Sequence, residues 1–319
     1  MFSRPKASNH RKRIIWMRLL NALLVDWLSM SIGVETNRAF ENQSSRQALS
    51  LRAKKKSRVW RESLRVDVDA IAPPPTVVVG NVPIAVVTLS QTADHMIAAA
   101  RFRPRGRPLY LTSANGEVIA RCADPAIWAL FASADEIVAD GQPMVFASRL
   151  FCHAALPERV STTDLFHYVA ARAVETGVTF YMLGATEQEN AGAVAKVRAR
   201  YPGLRLLGAC HGYLRGEALE TKLAEIDALS PDILWLAMGV PQEQRFVRDH
   251  AGKLGRVGVI KTSGGLFNYL SGTNARAPLW LQRAGLEWAF RVWQEPRRLA
   301  WRYLITSPHA LYLMLTRSL

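Results

Sequence analysis

Asp140 is the side chain best placed in this sequence to act as a general base. It follows a short apolar run, Glu136–Ala139, that predicts a β-strand, and it precedes Gly141. A carboxylate at such a strand end faces the crevice in which open α/β sheets bind ligands. It could there take a proton from an attacking hydroxyl group. The alternative is an aspartate that caps the N-terminus of the following helix, which is a common role at such turns.

Other polar and glycine residues follow apolar runs in the same way. Ser113 and Asn115 come after a strand predicted at 107–111, and with Asp140 they form the candidate catalytic group. Both could hydrogen-bond the hydroxyl or acetamido groups of a sugar, or they could cap a helix. The remaining strand-end motifs are Gly184-Ala185, Gly239-Val240-Pro241 and Ser263-Gly264-Gly265. Backbone amides at Gly264 and Gly265 could cradle a diphosphate.

A third group of candidate residues lies near the C-terminus. Arg291, Arg298 and Arg302 are separated by seven and four residues, which places them on one helical face if Pro296 only bends or restarts the helix. Three guanidinium groups on one face suit a diphosphate, which arginine binds in fork geometry. Tryptophan is typical of the boundary between an apolar surface and lipid headgroups, and four lie in this region: Trp280, Trp288, Trp293 and Trp301. The alternatives are a solvated arginine face and a Trp-rich core helix.

Standard metal and nucleotide motifs are missing from the sequence. There is no Walker loop and no Gly-x-Gly-x-x-Gly. The pair Asp67 and Asp69 precedes three prolines instead of following a buried strand, so we expect a site without metal or cofactor. Three separated cysteines, Cys122, Cys152 and Cys210, match no metal or disulfide spacing and predict free thiols in a reducing cytosol.

The elements that must position these residues alternate between strands and helices. This order predicts an α/β fold with a mostly parallel, Rossmann-like sheet covered by helices on both faces. We predict three parts: a basic N-terminal extension over 1–75 with an amphipathic segment and a linker, a catalytic domain over 76–275, and a C-terminal Arg- and Trp-rich helical appendage over 276–319. The predicted strands are 76–79, 84–88, 107–111, 136–139, 178–183, 204–208, 232–238 and 257–262. The predicted helices are 91–101, capped by Ser90, and 187–201, 216–228 and 241–254.

Charge is distributed unevenly along the chain. The formal net charge is +15, yet residues 66–275 contain 19 Lys and Arg against 20 Asp and Glu. Residues 1–65 contain 15 against 4, and residues 276–319 contain 7 against 2. Basic ends on a neutral body suit an anionic membrane surface. They argue against a nucleic-acid-binding protein, in which basic groups line the binding cleft.

The apolar run 14–34 could contact the membrane at the other end of the chain. Arg18, Asn21 and Asp26 interrupt it, so an interfacial amphipathic helix fits better than a transmembrane span. The alternative is a dispensable N-terminal extension.

Several segments, taken in order, resemble the WecG/TagA/CpsF glycosyltransferases of glycosyltransferase family 26. The C-terminal run carries the clearest resemblance, and the match covers about 82–305. The C-terminal run consists of Arg276-Ala-Pro-Leu-Trp, Gly285-Leu-Glu-Trp, Arg291, Glu295-Pro-Arg-Arg and Arg302-Tyr. The upstream segments are Ala139-Asp140-Gly141, Pro157-Glu-Arg159-Val with Asp164-Leu, Tyr201-Pro-Gly-Leu with His211-Gly-Tyr, and Gly239-Val-Pro.

The resemblance implies an activity. Such enzymes move a hexose or N-acetylhexosamine, such as N-acetylmannosamine or glucose, from a UDP-sugar to a polyprenyl-diphosphate-linked sugar during cell-surface polysaccharide biosynthesis. The transfer inverts the anomeric centre, uses no metal, and occurs at the cytoplasmic face of the bacterial inner membrane on a peripheral protein. The resemblance also allows a homo-oligomer that buries the appendage.

The resemblance also implies residue roles. It makes Asp140 the catalytic base, Asn115 the motif asparagine, and Arg159 and Asp164 pocket residues. The appendage would close over the site and neutralise diphosphate, and its arginines are Arg276, Arg291, Arg298 and Arg302.

The sequence departs from the family pattern at three places. We expect these differences to affect the identity of the donor sugar more than the type of reaction. Ser113 replaces the usual threonine, and Asn268 replaces an aspartate. In Gln242-Glu243-Gln244 the usual order of amide and acid is exchanged, which leaves open which of the three contacts the donor. A membrane-associated assembly subunit with altered catalysis is the alternative function.

Overall fold

The computed structural model describes residues 72–283 and 286–319. The predictions for the N-terminal extension and for Asp67 and Asp69 therefore lie outside the described residues, apart from 72–75. Six side chains in the C-terminal helices also lie outside the described part: Leu279, Arg283, Arg298, Ala300, Arg302 and Tyr303.

An antiparallel hairpin opens the described chain, with β1 at Thr76–Val79 and β2 at Val82–Ala85. Gly80 and Asn81 both have positive φ, as a two-residue hairpin turn requires. The second strand was predicted at 84–88 and instead begins directly after the turn. Thr88 then serves as the helix cap, in place of the predicted Ser90. Its hydroxyl accepts from the Gln91 amide at 3.1 Å, and the Gln91 side chain accepts from the Thr88 amide at 2.8 Å.

Six parallel strands form the main sheet, in the order β4-β3-β8-β7-β5-β6. Their bounds are β3 Leu109–Ala114, β4 Glu136–Ala139, β5 Thr179–Gly184, β6 Arg205–Cys210, β7 Ile233–Ala237 and β8 Val259–Thr262. The predicted Rossmann-like parallel sheet is confirmed. The strand predicted at 107–111 is displaced towards the C-terminus, so that Ser113 lies inside β3.

Helices cover both faces of this sheet. The face that contains Trp235 packs against α1, α5, α6 and α9, and the opposite face packs against α2, α4, α7 and α8. The bounds are α1 Leu89–Phe102, α2 Gly116–Arg121, α3 Pro125–Ala132, α4 Gln142–Phe151, α5 Thr162–Thr176, α6 Glu187–Arg200, α7 Gly216–Leu229, α8 Gln242–His250 and α9 Leu266–Ser271. Helices α2 to α5 and α9 were not predicted from the sequence.

Three further helices end the chain: α10 Leu279–Arg283, α11 Glu287–Gln294 and α12 Pro296–Thr316. The last turns of α12 belong to the body of the protein, since Leu313 and Met314 are buried in the core beside the hairpin. Val78 and Leu319 exchange backbone hydrogen bonds at 3.3 and 2.9 Å. Among the described residues, no helix has both the length and the apolar character needed to cross a bilayer.

Candidate active site

The carboxyl ends of β3, β4, β5, β7 and β8 open onto one cleft of about 870 Å³. Parallel strands present their carboxyl ends at one edge of a sheet, and ligands bind there in open α/β folds. Each strand-end motif singled out in the sequence contributes to the cleft wall. The contributing residues include Ser113, Asn115, Asp140, Ala185, Gly239, Ser263, Gly264 and Gly265.

Asp140 follows β4 and its carboxylate is held from one side. Its Oδ2 accepts hydrogen bonds from the Thr162 hydroxyl at 2.8 Å and from the Thr162 amide at 3.3 Å. It does not cap the helix that follows it, because Gly141 holds that cap position without a side-chain bond. Burial raises the pKa of Asp140, against the opposing charges of Arg159 and Lys261 and the bonds from Thr162. A carboxyl with a raised pKa is better matched to proton abstraction near neutral pH.

Ser113 and Asn115 differ in what their side chains do. The Asn115 side-chain oxygen accepts from the Val118 amide at 3.1 Å, so it caps α2 as well as lining the cleft. The Ser113 hydroxyl lies 3.2 Å from the Thr162 hydroxyl and accepts from the Lys261 ammonium at 2.8 Å. Ser113 therefore connects the cleft wall to a buried cation.

The glycine loop after β8 is held by Glu243. This carboxylate is buried, and its Oε2 accepts from the amides of Gly264 at 2.8 Å, Ser263 at 3.3 Å and Met238 at 3.4 Å. From the sequence, the Gly264 amide was a candidate donor to a diphosphate. In the structure it donates to Glu243 instead. The physical reason is that a buried carboxylate must have donors. Burial raises the pKa of Glu243.

The three residues Gln242, Glu243 and Gln244 have different positions. Gln242 is exposed on the cleft wall, whereas Gln244 is fully buried and donates to the Thr112 hydroxyl at 3.3 Å. Glu243 also lines the cleft, but its carboxylate is taken up by the glycine loop, so Gln242 is the exposed side chain of the three on the cleft wall.

Gly184 was predicted to bind substrate, but Ala185 takes that place on the cleft wall. Gly184 has φ +139°, and a Cβ atom there would lie 2.1 Å from the carbonyl oxygen of Ala237. Glycine at this position allows β5 and β7 to approach each other at the cleft floor.

The predicted pocket residues also include Arg159, Asp164 and Arg276. In the structure their side chains form hydrogen bonds and ion pairs that involve the C-terminal helices. Arg276 forms a two-pronged pair with Asp164 at 2.5 and 3.1 Å, and Arg159 pairs with Glu287 at 2.5 Å. The side-chain oxygen of Gln282 accepts from both arginines. These contacts, which we name the clasp, hold α10 and α11 beside the cleft.

Among the other predicted residues, Arg291 and Asn268 line the cleft. The Arg291 guanidinium lies 5.8 Å from the centroid of the Tyr269 ring, and the Asn268 amide donates to Glu189. Arg298 and Arg302 lie on α12, but their side chains are outside the described part of the structure.

All four tryptophans named from the sequence on the C-terminal helices face solvent. Trp280, Trp288, Trp293 and Trp301 are 65%, 44%, 76% and 68% exposed. This exposure excludes the interpretation of these helices as a Trp-rich core. Exposed tryptophans are typical of surfaces that contact a partner or lipid headgroups.

Sequence reasoning missed Lys261 and Thr162. Lys261 is fully buried on β8, where its ammonium donates to the Ser113 hydroxyl at 2.8 Å and to the Thr262 carbonyl at 2.6 Å. Burial lowers the pKa of Lys261 to about 8, against the opposing charges of Asp140, Glu243 and Glu136. A lysine inside a strand whose other residues are all β-branched was the available signal for this residue.

Comparison with known proteins gives the family match. Residues 77–319 match the model of the family described as Glycosyl transferase WecG/TagA/CpsF family. The chain is 28% identical over 199 residues to the N-acetylglucosaminyldiphosphoundecaprenol N-acetyl-beta-D-mannosaminyltransferase of Bacillus subtilis (strain 168), covering 62% of this chain and 75% of the relative. It is 28% identical over 200 residues to the protein of the same name from Bacillus spizizenii (strain ATCC 23059 / NRRL B-14472 / W23), covering 62% and 76%.

Proposed function

The chain belongs to the WecG/TagA/CpsF glycosyltransferase family, and from this premise we propose that it transfers a hexose or N-acetylhexosamine from a UDP-sugar to a polyprenyl-diphosphate-linked sugar. The Bacillus relatives are named for transfer of N-acetylmannosamine to a lipid-diphosphate-linked N-acetylglucosamine. Their names support this class of donor and acceptor. The position of Asp140 in the cleft carries the proposal.

Asp140 acts as the base in a single displacement. The hydrogen bonds described at this carboxylate fall on Oδ2, which leaves Oδ1 to receive a proton from the cleft. As the acceptor oxygen bonds to the anomeric carbon, its proton passes to Asp140, and the bond from that carbon to the β-phosphate oxygen breaks. UDP leaves with the bonding electron pair, and the anomeric centre is inverted. A positioned base of this kind contributes ~10²–10⁴-fold to the rate.

The departing diphosphate needs positive charge. We assign this role to Arg291, which lines the cleft wall, and, from the sequence, to Arg298 and Arg302. Arginine binds phosphate oxygens in fork geometry. The clasp through Arg159 and Arg276 keeps the C-terminal helices next to the leaving group.

The membrane is the second proposed partner. Residues 276–319 contain 7 Lys and Arg against 2 Asp and Glu, and they present exposed tryptophans. Each basic residue near an anionic bilayer contributes ~1 kcal/mol to binding. We place the protein peripherally at the cytoplasmic face of the bacterial inner membrane, where a nucleotide sugar meets a lipid-linked acceptor.

A panel of radiolabelled UDP-sugars tests the proposal. Purified full-length protein would be incubated with each donor and with extracted polyprenyl-diphosphate-linked acceptors, and the lipid fraction counted. We expect label from one UDP-hexose or UDP-N-acetylhexosamine to enter the lipid fraction, and Gln242→Ala to raise the donor KM. Binding of UDP without transfer from any donor would favour the assembly subunit instead.

A further inference from the structure

We infer that Lys261 is a positioning residue for this reaction, and that it acts on Asp140 through the hydroxyl groups of Ser113 and Thr162. The inference rests on the proposed function, because it assigns Lys261 a role through the base named there. It concerns a side chain that lines no part of the cleft wall and that belongs to none of the motifs singled out in the sequence.

The hydrogen bonds run in one direction from cation to carboxylate. The Lys261 ammonium donates to Ser113 Oγ at 2.8 Å, and the Thr162 hydroxyl donates to Asp140 Oδ2 at 2.8 Å. The two hydroxyl oxygens lie 3.2 Å apart. Each hydroxyl has one proton, and that of Thr162 is used on Asp140. Ser113 must therefore donate to Thr162, and it can do so because Lys261 fills its acceptor side.

The location of Lys261 argues against a purely structural role. It lies in the middle of the sheet, in register with Leu111 on β3 and Trp235 on β7. Taking an ammonium group out of water is energetically costly, and a well-packed apolar residue in its place is often as stable or more so. Its polar contacts are a hydroxyl and a carbonyl, neither of which carries an opposite charge. A costly cation two hydroxyl groups from a candidate base indicates a function.

Several charged groups surround the chain of hydrogen bonds. Glu136 on β4, Glu243 on α8 and Asp140 act on Lys261. The Glu136 carboxylate also forms a hydrogen bond with His95 Nδ1 at 2.7 Å. The cations that face Asp140 are Arg159, Arg276 and Lys261. Of these three, the arginines belong to the clasp and Lys261 belongs to the sheet itself.

Lys261 then has two effects on Asp140. It fixes the proton of Thr162 on Oδ2, which keeps Oδ1 directed at the acceptor hydroxyl. Its charge also favours the ionised form of Asp140, while burial raises the pKa of that carboxyl. Without Lys261 the pKa of Asp140 would rise further, so that the base would be protonated at a pH where the wild-type base is active.

The experiment is the pH dependence of kcat/KM for transfer by full-length wild type, Lys261→Met and Ser113→Ala. For Lys261→Met we expect the acidic limb to move upward by about one pH unit, a shift typical of losing a nearby opposite charge. Activity below the limb should fall about tenfold and recover at higher pH. Ser113→Ala keeps the charge of Lys261 but interrupts the chain of hydrogen bonds to Asp140. It should move the acidic limb upward by less than Lys261→Met does. Lys253→Met, at an exposed pair with Glu220, is the matched control and should leave the profile unchanged.

The outcomes separate this inference from the proposed function. A wild type without transfer, or an Asp140→Asn variant with full turnover, would remove the proposed function and this inference with it. An active wild type and an inactive Asp140→Asn, with an unmoved acidic limb in Lys261→Met and Ser113→Ala, would overturn the inference alone. If Lys261→Met does not fold, as judged by thermal unfolding, the Ser113→Ala profile decides.

Discussion

Replacing Glu243 with alanine should destabilise the protein and disorder the glycine loop at the cleft. The carboxylate is buried at the first turn of α8 and accepts amide hydrogens from Gly264, Ser263 and Met238. Alanine would leave the amides of Gly264 and Met238 without this acceptor, whereas the Ser263 amide also donates to the Leu236 carbonyl at 2.7 Å. Because Gly264 lines the cleft, the same substitution should weaken ligand binding.

The size of the effect follows from the three distances. Hydrogen bonds to a charged group contribute ~1.5–3 kcal/mol each, and of the three only the bond from Gly264, at 2.8 Å, is short. The buried carboxylate also has a cost of its own, since burial raises the pKa of Glu243. We therefore expect a net loss of about 3 kcal/mol in the free energy of unfolding. For a domain of this size that is a fall in Tm of roughly 6–12 °C.

Thermal unfolding followed by circular dichroism measures this effect, with Glu243→Gln as the matched control. The glutamine retains an acceptor for the amides. Its NH2 group would replace Oε1, which accepts from the Gln244 side-chain nitrogen at 3.3 Å, so the Gln244 amide must turn its oxygen, which has no partner among the described residues, towards it. A raised pKa means that the folded state binds the extra proton, so wild-type stability declines as pH rises above 4.5. Glu243→Gln should therefore become more stable relative to wild type as the pH rises above 4.5. A Tm for Glu243→Ala within 2 °C of wild type, on the order of the error expected from the size scaling, would refute the reasoning.

Three other predictions concern the body of the protein. Burial, followed by the charge of Arg200, lowers the pKa of His167 from 6.5 to about 4. The free energy of unfolding should therefore fall as the pH drops from 6.5 towards 4. His167→Gln should remove that pH dependence in an acid titration. Gly184→Ala should cost about 3 kcal/mol or more in urea unfolding because its Cβ meets the neighbouring strand; Gly177→Ala, with φ +76° and open space, should cost about 1 kcal/mol. A double-mutant cycle with Asp164→Asn and Arg276→Met should give a coupling energy of about 1 kcal/mol, since the pair is partly exposed, and a coupling of zero would contradict the clasp.

The sequence predicts the sheet well where apolar runs are short and bounded by turn residues. Glu136–Ala139 is bounded by Asp140 and Gly141, and its strand was predicted without error. The strand at Leu109–Ala114 was misplaced because Thr112 and Ser113 are typical of a loop. Inside the fold, the Thr112 hydroxyl accepts from the Thr262 hydroxyl at 2.7 Å, so the polar group is satisfied within the sheet. Tertiary context thus outweighed local pattern.

The candidate site, like the sheet, was predicted from the sequence only in part. Strand-end motifs were sufficient to place Asp140, Asn115 and the glycine loop near one another, because parallel strands end at one edge. Pairing across the chain could not be predicted: Asp164 and Arg276 are 112 residues apart. The hydrogen bonds from backbone amides to Glu243 also depend on tertiary packing, which the spacing of residues along the sequence does not reveal.

The central claim is that Asp140 is the base of a UDP-sugar transferase. The most direct test measures turnover and UDP affinity for wild type and Asp140→Asn with the donor and lipid-linked acceptor identified by the panel. The asparagine has nearly the same shape and can still accept from Thr162, but it cannot take a proton. We predict a loss of ~10²–10⁴-fold in kcat with the Kd for UDP, measured by calorimetry, changed by less than about threefold. Near-normal turnover of folded Asp140→Asn would contradict the account.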